Sequence, residues 1–118
     1  MTNESQQLLV WTTVEDADSA RRLADGVVRA GLAACVNILP PVTSVFRWES
    51  GSDNAAEAAV QAEQEILLLM KTSAAAYPGL ERHLEREHPY ELPEIIAVPV
   101  THGLPAFRQW IDDATTGE

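Results

Sequence analysis

Lys71 closes an apolar run, Ile66-Leu67-Leu68-Leu69-Met70, just before a helix start, and two acids follow that helix, Glu91 in a turn-like stretch and Glu94 at the start of the next strand. An ammonium placed there either snorkels to solvent or pairs with one of those carboxylates across a cleft. Buried, such a pair would hold a small anion or another polar ligand. Cys35, flanked by Ala34 and Val36, reads as a small buried hydrophobe. A reactive thiol would need a cationic neighbour, and none is adjacent in the sequence. Asn37 shares the face of Cys35 in an extended strand, so its amide either faces a pocket or fixes the strand register. His83 and His88 are five apart, off the i, i+4 spacing that puts two ligands on one helical face. His83 reads as a solvated helix residue and His102 as a turn residue. His88 ends a helix, where the dipole favours an imidazolium or the ring is placed to ligate. Tyr90 and Trp48 serve either packing or recognition. There is no Gly-rich phosphate loop, no Gly-x-Ser-x-Gly elbow and no spaced Cys-His pair. The acids at 15, 16 and 18 lack the glycine and terminal glutamate of a calcium loop. A protein without catalysis is expected.

The elements that carry these residues alternate between two periods. Leu8 to Val14 is apolar, β-branched and aromatic, a strand buried on both faces. Ala20, Leu23, Ala24, Val27 and Val28 then recur at helical spacing behind the acids Glu15, Asp16 and Asp18, with Gly31 where a left-handed cap belongs. Leu32 to Leu39 and Val42 to Trp48 form one long strand that bends, bulges or lies at an edge at Pro40-Pro41. Ile66 to Thr72 is a further strand. A second helix follows, with Ser73 as candidate N-cap, Pro78 in its first turn, a stripe of Tyr77, Leu80 and Leu84, and a stop at His88-Pro89. Glu94 to Thr101 reads as the last strand. A final helix from Leu104-Pro105 is expected to bury Phe107, Trp110, Ile111 and Ala114. Residues 1–118 form one domain, with 1–7 a flexible N-terminus and 50–63 the mobile tip of a hairpin.

The order β-α-β-β-α-β-α makes two interleaved βαβ units, an α+β ferredoxin-like sandwich with one extra C-terminal helix. Its helices cover one face of the sheet, yet several strands are apolar on both. The uncovered face needs a partner, and a second copy supplies it most directly.

Composition narrows the partners. The 118 residues carry 8 Lys and Arg against 18 Asp and Glu, a net charge of −10. Such a surface repels nucleic acid and anionic membranes and attracts cations. No apolar run approaches the length of a membrane span, and the first seven residues lack the marks of a signal peptide. With one cysteine there is no intrachain disulfide, and a cytoplasmic protein is expected.

Several segments together resemble the CutA family of divalent-ion tolerance proteins. They are Leu32-Ala33-Ala34-Cys35-Val36-Asn37-Ile38, Val42-Thr43-Ser44, Trp48-Glu49, Lys71-Thr72 and His88-Pro89-Tyr90-Glu91-Leu92-Pro93-Glu94-Ile95-Ile96, and the likeness runs from about Leu8 to Trp110. The resemblance implies a ferredoxin-like fold, a tight homotrimer built by strand pairing between subunits, and a link to copper and other divalent cations, with no established reaction. The chain departs from the family in two places. Gly51 precedes Ser52 where a lysine often stands, in a longer tip. The copper ligands of some members, a cysteine and a His-His pair, fall on Thr12, Glu87 and His88. Cu(I) prefers sulfur, so the expectation is a weaker Cu(II) or Zn(II) site at Glu87 and His88, with no obligatory cofactor. Cys35, Lys71, Tyr90 and Glu91 are the candidates to line a cleft. A second reading, by analogy of fold alone, is a trimeric sensor that binds a small anionic ligand between subunits, with Lys71 as its distinguishing cation. A third is a structural platform.

Overall fold

The computed structural model describes residues 6–48 and 59–116. In chain order they form β1 (Gln7–Val14), α1 (Ala17–Arg29), β2 (Cys35–Ile38), β3 (Val42–Trp48), β4 (Ala59–Ser73), α2 (Tyr77–Glu87), β5 (Ile96–Val100) and α3 (Pro105–Ala114). The result is a mixed α+β fold with an antiparallel sheet ordered β2-β4-β1-β5, while β3 pairs with the first half of β4. The proline pair at 40–41 divides the expected long strand into β2 and β3, because two residues without an N–H cannot continue the ladder. Pro99 is tolerated in β5 because that strand lies at the edge and, among the described residues, pairs only with β1.

Local chemistry sets the helix ends. The Asp16 carboxylate accepts the Ser19 N–H at 2.7 Å, and that bond holds its carboxyl below the usual carboxylate value. At the other end, Gly31 takes a φ of 72°, its N–H bonds to Val28 O and the Leu32 N–H to Val27 O, the double closure of a Schellman cap. A side chain at 31 would be strained in that left-handed conformation. Helix α2 begins later than its expected cap. Ser73 is the last residue of β4, and its hydroxyl accepts the Ala76 N–H within a turn, so Ala76 is the N-cap. His88 leaves the helix in an extended conformation because Pro89 disfavours the helical region for the residue before it.

The core fills the space between one sheet face and helices α1 and α2. Val10, Val14, Leu68 and Met70 meet Val27, Leu80 and Leu84, all fully buried. Each such side chain contributes roughly 1.5–3 kcal/mol on burial. The opposite face carries Leu9, Trp11, Leu67 and Leu69, half-buried, and ends on the exposed Ile96 and Val98 of β5. The apolar surface expected to lie uncovered is therefore present in the single subunit. No described helix is long and apolar enough to cross a membrane.

Three expectations are corrected. Gln7 is not part of a flexible terminus: it is the first residue of β1, fully buried, and its amide donates to Asp112 on α3 at 2.9 Å. Residues 59–63 are strand rather than mobile tip, paired to β3 from Trp48↔Ala59 to Ser44↔Glu63. The segment, two alanines and a valine with Gln61 and Glu63, is held there by its ladder bonds, which hydropathy does not reveal. The remainder of the tip, 50–58, and residues 1–5 of the terminus lie outside the described residues. On α3 only Ile111 is buried, while Phe107 and Trp110 stay 45% and 44% exposed with their rings 5.4 Å apart. That helix docks at the end of the sheet through Gln7, Arg108, Asp112 and Thr115, which leaves its aromatic face without cover among the described residues.

Leu84→Ala is expected to lower unfolding free energy by about 2–5 kcal/mol, because its cavity lies between α2 and the sheet. Denaturant unfolding at one fixed protein concentration reads it, and a shift within the range of surface substitutions would place Leu84 outside the core.

Candidate functional site

A chain of hydrogen bonds leads from the core to the surface at the far end of α2. Thr12, on the helix-facing side of β1, is fully buried and bonds to His88 Nε2 at 2.9 Å. The Tyr90 N–H donates to His88 Nδ1 at 3.0 Å. With Nδ1 an acceptor, the neutral ring carries its proton on Nε2 and donates to Thr12 Oγ1. Burial pushes the His88 pKa below its ordinary value of 6.5. The Tyr90 ring packs 5.0 Å from that of His88, and its hydroxyl donates to Glu65 Oε2 on β4 at 2.8 Å. Burial raises the Tyr90 pKa far above the usual phenol value, and the Glu65 carboxylate adds to the effect. Tyr90 is thus a neutral hydrogen-bond donor.

Beside Tyr90 opens a groove of about 540 Å³. Glu15 enters it from the end of β1, Glu63 and Glu65 from β4, and Glu91 and Glu94 from the segment before β5, with Phe46 and Leu92 as apolar lining. Among the described residues lining it there is no lysine or arginine. Five carboxylates around one concavity give it a negative field that attracts cations. The sequence reading had Glu91 and Tyr90 as site residues and missed Glu15, Glu63 and Glu65. Gln61, Glu63 and Glu65 alternate at period two, the signal that would have placed them on one strand face.

The other candidates fall elsewhere. Lys71 lies opposite Cys35 in the β2–β4 register, with Nζ 3.7 Å from Cys35 Sγ and hydrogen-bonded to Asn37 Oδ1. The cationic neighbour that the sequence did not show next to Cys35 comes from the adjacent strand. Lys71 makes no ion pair with Glu91 or Glu94 within the described residues of the subunit. Glu87 is exposed and bonds to Arg86 at 3.3 Å, a surface pair of small energetic weight. His88 is 8% exposed, with both ring nitrogens in internal hydrogen bonds. The structure joins Thr12 to His88, two of the three positions that the resemblance links to copper, and it fills them with a hydroxyl–imidazole bond. Among the described residues no three His, Cys, Asp or Glu side chains converge where a metal ion would be held. This donor set does not fit a preformed metal centre within one subunit.

A buried neutral His88 makes stability depend on pH. The fold favours the unprotonated ring, so its contribution is fully present above pH 6.5 and is lost as pH falls through the depressed folded value. Unfolding midpoints recorded from about pH 8 to about pH 5 should decline more steeply for the wild type than for His88→Gln. Parallel curves would remove His88 as the titrating group.

The sequence matches the model of the family described as "CutA1 divalent ion tolerance protein" across residues 8–114. It is 38% identical over 107 residues to the divalent-cation tolerance protein CutA of Thermus thermophilus, covering 91% of this chain and 96% of that one. It is 35% identical to the chloroplastic CutA of Arabidopsis thaliana over 92% of this chain, but spans only 55% of that relative's length. The chain likewise spans about half the length of the rice, mouse and human relatives it matches. Among solved structures, CutA1 from Oryza sativa superposes with a TM-score of 0.86 at 32% identity, covering 99% of this chain and 100% of that one. The Thermus thermophilus structure gives 0.82 at 38% identity, covering 92% and 98%. The family is named for tolerance of divalent cations and not for a reaction, and this chain belongs to it: it is a member of the CutA1 divalent ion tolerance family.

Proposed function

We propose that this protein is a non-enzymatic homotrimer of ferredoxin-like subunits that binds divalent cations, copper among them, loosely and reversibly in the groove beside Tyr90. The observation that carries the reading is the set of five glutamates around that groove in a chain of net charge −10. Spread over one concavity rather than converging, they draw a divalent ion by summed field more than by a fixed coordination shell. Self-association is supported by the uncovered apolar face of Leu9, Trp11, Leu67, Leu69, Ile96 and Val98, which a second and third copy would remove from water.

Native mass spectrometry with and without Cu(II) and Zn(II) reads subunit number and metal count together. A trimer is expected, with metal uptake that weakens as salt is raised. Glu63→Gln combined with Glu91→Gln should weaken uptake on the order of 1 kcal/mol per carboxylate, roughly fivefold each. Uptake that ignores those changes but disappears in Glu87→Gln, an exposed substitution, would move the binding to Glu87 and His88.

One observation favours the reading of a sensor for a small anion. Lys71 is held by an amide and a thiol and by no carboxylate of its own subunit among the described residues, so its charge is available to an anionic ligand. Thermal shifts produced by inorganic phosphate or small dicarboxylates should then vanish in Lys71→Ala; shifts that persist would exclude Lys71 as the anion site.

A further inference from the structure

The Cys35–Lys71 contact has a chemistry that neither cation binding nor anion sensing uses. The two residues are direct cross-strand neighbours on β2 and β4, and Nζ lies 3.7 Å from Sγ. Asn37 Oδ1 accepts from the same ammonium and holds it beside the sulfur. Cys35 is half-buried and not sealed in the core, and it is the chain's single cysteine, so within one chain no second thiol competes for it. We propose that Cys35 and Lys71 form a peroxide-driven covalent switch, a sulfur–nitrogen bond between β2 and β4.

The chemistry closes in two steps with hydrogen peroxide as oxidant. The Cys35 sulfur attacks one peroxide oxygen, the O–O bond breaks, and the departing hydroxide takes a proton and leaves as water. Sulfur is oxidised by two electrons, peroxide is reduced by two, and a sulfenic acid remains. The Lys71 ammonium sits where the negative charge of the attacking sulfur falls. It then gives one proton to solvent, and the nitrogen lone pair attacks the sulfur. The S–O bond breaks, and the hydroxide leaves as water with a second proton from nitrogen. This second step involves no further oxidant. A thiol, an amine and one peroxide thus become an S–N link and two waters. The same condensation of a sulfenic acid with nitrogen is known for backbone amides, and here a side-chain amine lies 3.7 Å away. Lysine's flexible four-carbon stem lets the amine move toward the sulfur. Peroxide is little larger than water, and the half-buried Cys35 is not sealed from it within the subunit. Closure removes a positive charge from the sheet face opposite the helices and ties β2 to β4. An attacking thiol cleaves the link and restores both side chains.

The test treats the full chain, in its native assembly, with hydrogen peroxide and measures intact mass and peptide maps. The expected product has lost two hydrogens per chain, joins the Cys35 and Lys71 peptides, and reverts with dithiothreitol. Lys71→Met and Lys71→Arg should stop at the sulfenic acid, which dimedone should then trap roughly tenfold more than in the wild type. The arginine variant keeps the charge and so guards against a folding defect in the methionine variant. Oxygen addition without a joined peptide, a disulfide between chains, or equal loss of two hydrogens in the Lys71 variants would each overturn the proposal.

Discussion

Among the described residues strand β4 pairs with three of the other four strands, and the placement of Lys71, Glu65 and Glu63 follows from its alternation. Ile66, Leu68, Met70 and Thr72 face the helices and are buried. Leu67, Leu69 and Lys71 take the other side. A slip of one residue would bring Lys71 into the core and expose Met70, so the hydrophobic pattern fixes the register strongly. Once fixed, the register sets Lys71 against Cys35 on one flank and against Leu9 on the other. It also carries Glu65 and Glu63 out past the end of the pairing with β1, to where the segment after α2 returns.

The chain from Thr12 to Glu65 shows how a polar path crosses a small apolar domain. A buried hydroxyl and a buried imidazole would each be costly without a partner, and each satisfies the other. Among the described residues no buried side-chain nitrogen or oxygen is left unpaired. The imidazole's second nitrogen fixes the Tyr90 backbone, and the phenol fixes Glu65. His88 thereby acts as a spacer that sets one wall of the acidic groove. The other glutamates need no such support, because their charges remain in contact with water.

Two features of the surface oppose one another. A net charge of −10 drives copies of the chain apart, while the uncovered face of apolar side chains draws them together. The charge is long-ranged and screened by salt, whereas apolar contact acts at short range and is not. Cations gathered in the groove would reduce the repulsion. In the proposed reading, binding of ions and association of subunits would be coupled in sign for that reason.

Local chemistry is what the sequence by itself determined. The Asp16 cap, the left-handed Gly31, the break at Pro40-Pro41 and the stop at Pro89 depend on a few neighbouring residues, and the strand and helix periods depend on short windows. The fold class and an uncovered apolar face follow from those windows taken in order. Tertiary structure alone decided the contacts across the chain. His88 meets Thr12 from 76 residues away, Cys35 meets Lys71 from 36, and Tyr90 meets Glu65 from 25. Each contact depends on strand register and on the path of the loop after α2, which no local window contains. The same reason hid the ordered start of β4. Its residues 59–65 mix small and polar side chains and carry little hydrophobic signal, and the ladder with β3 and the Tyr90–Glu65 hydrogen bond hold them in place.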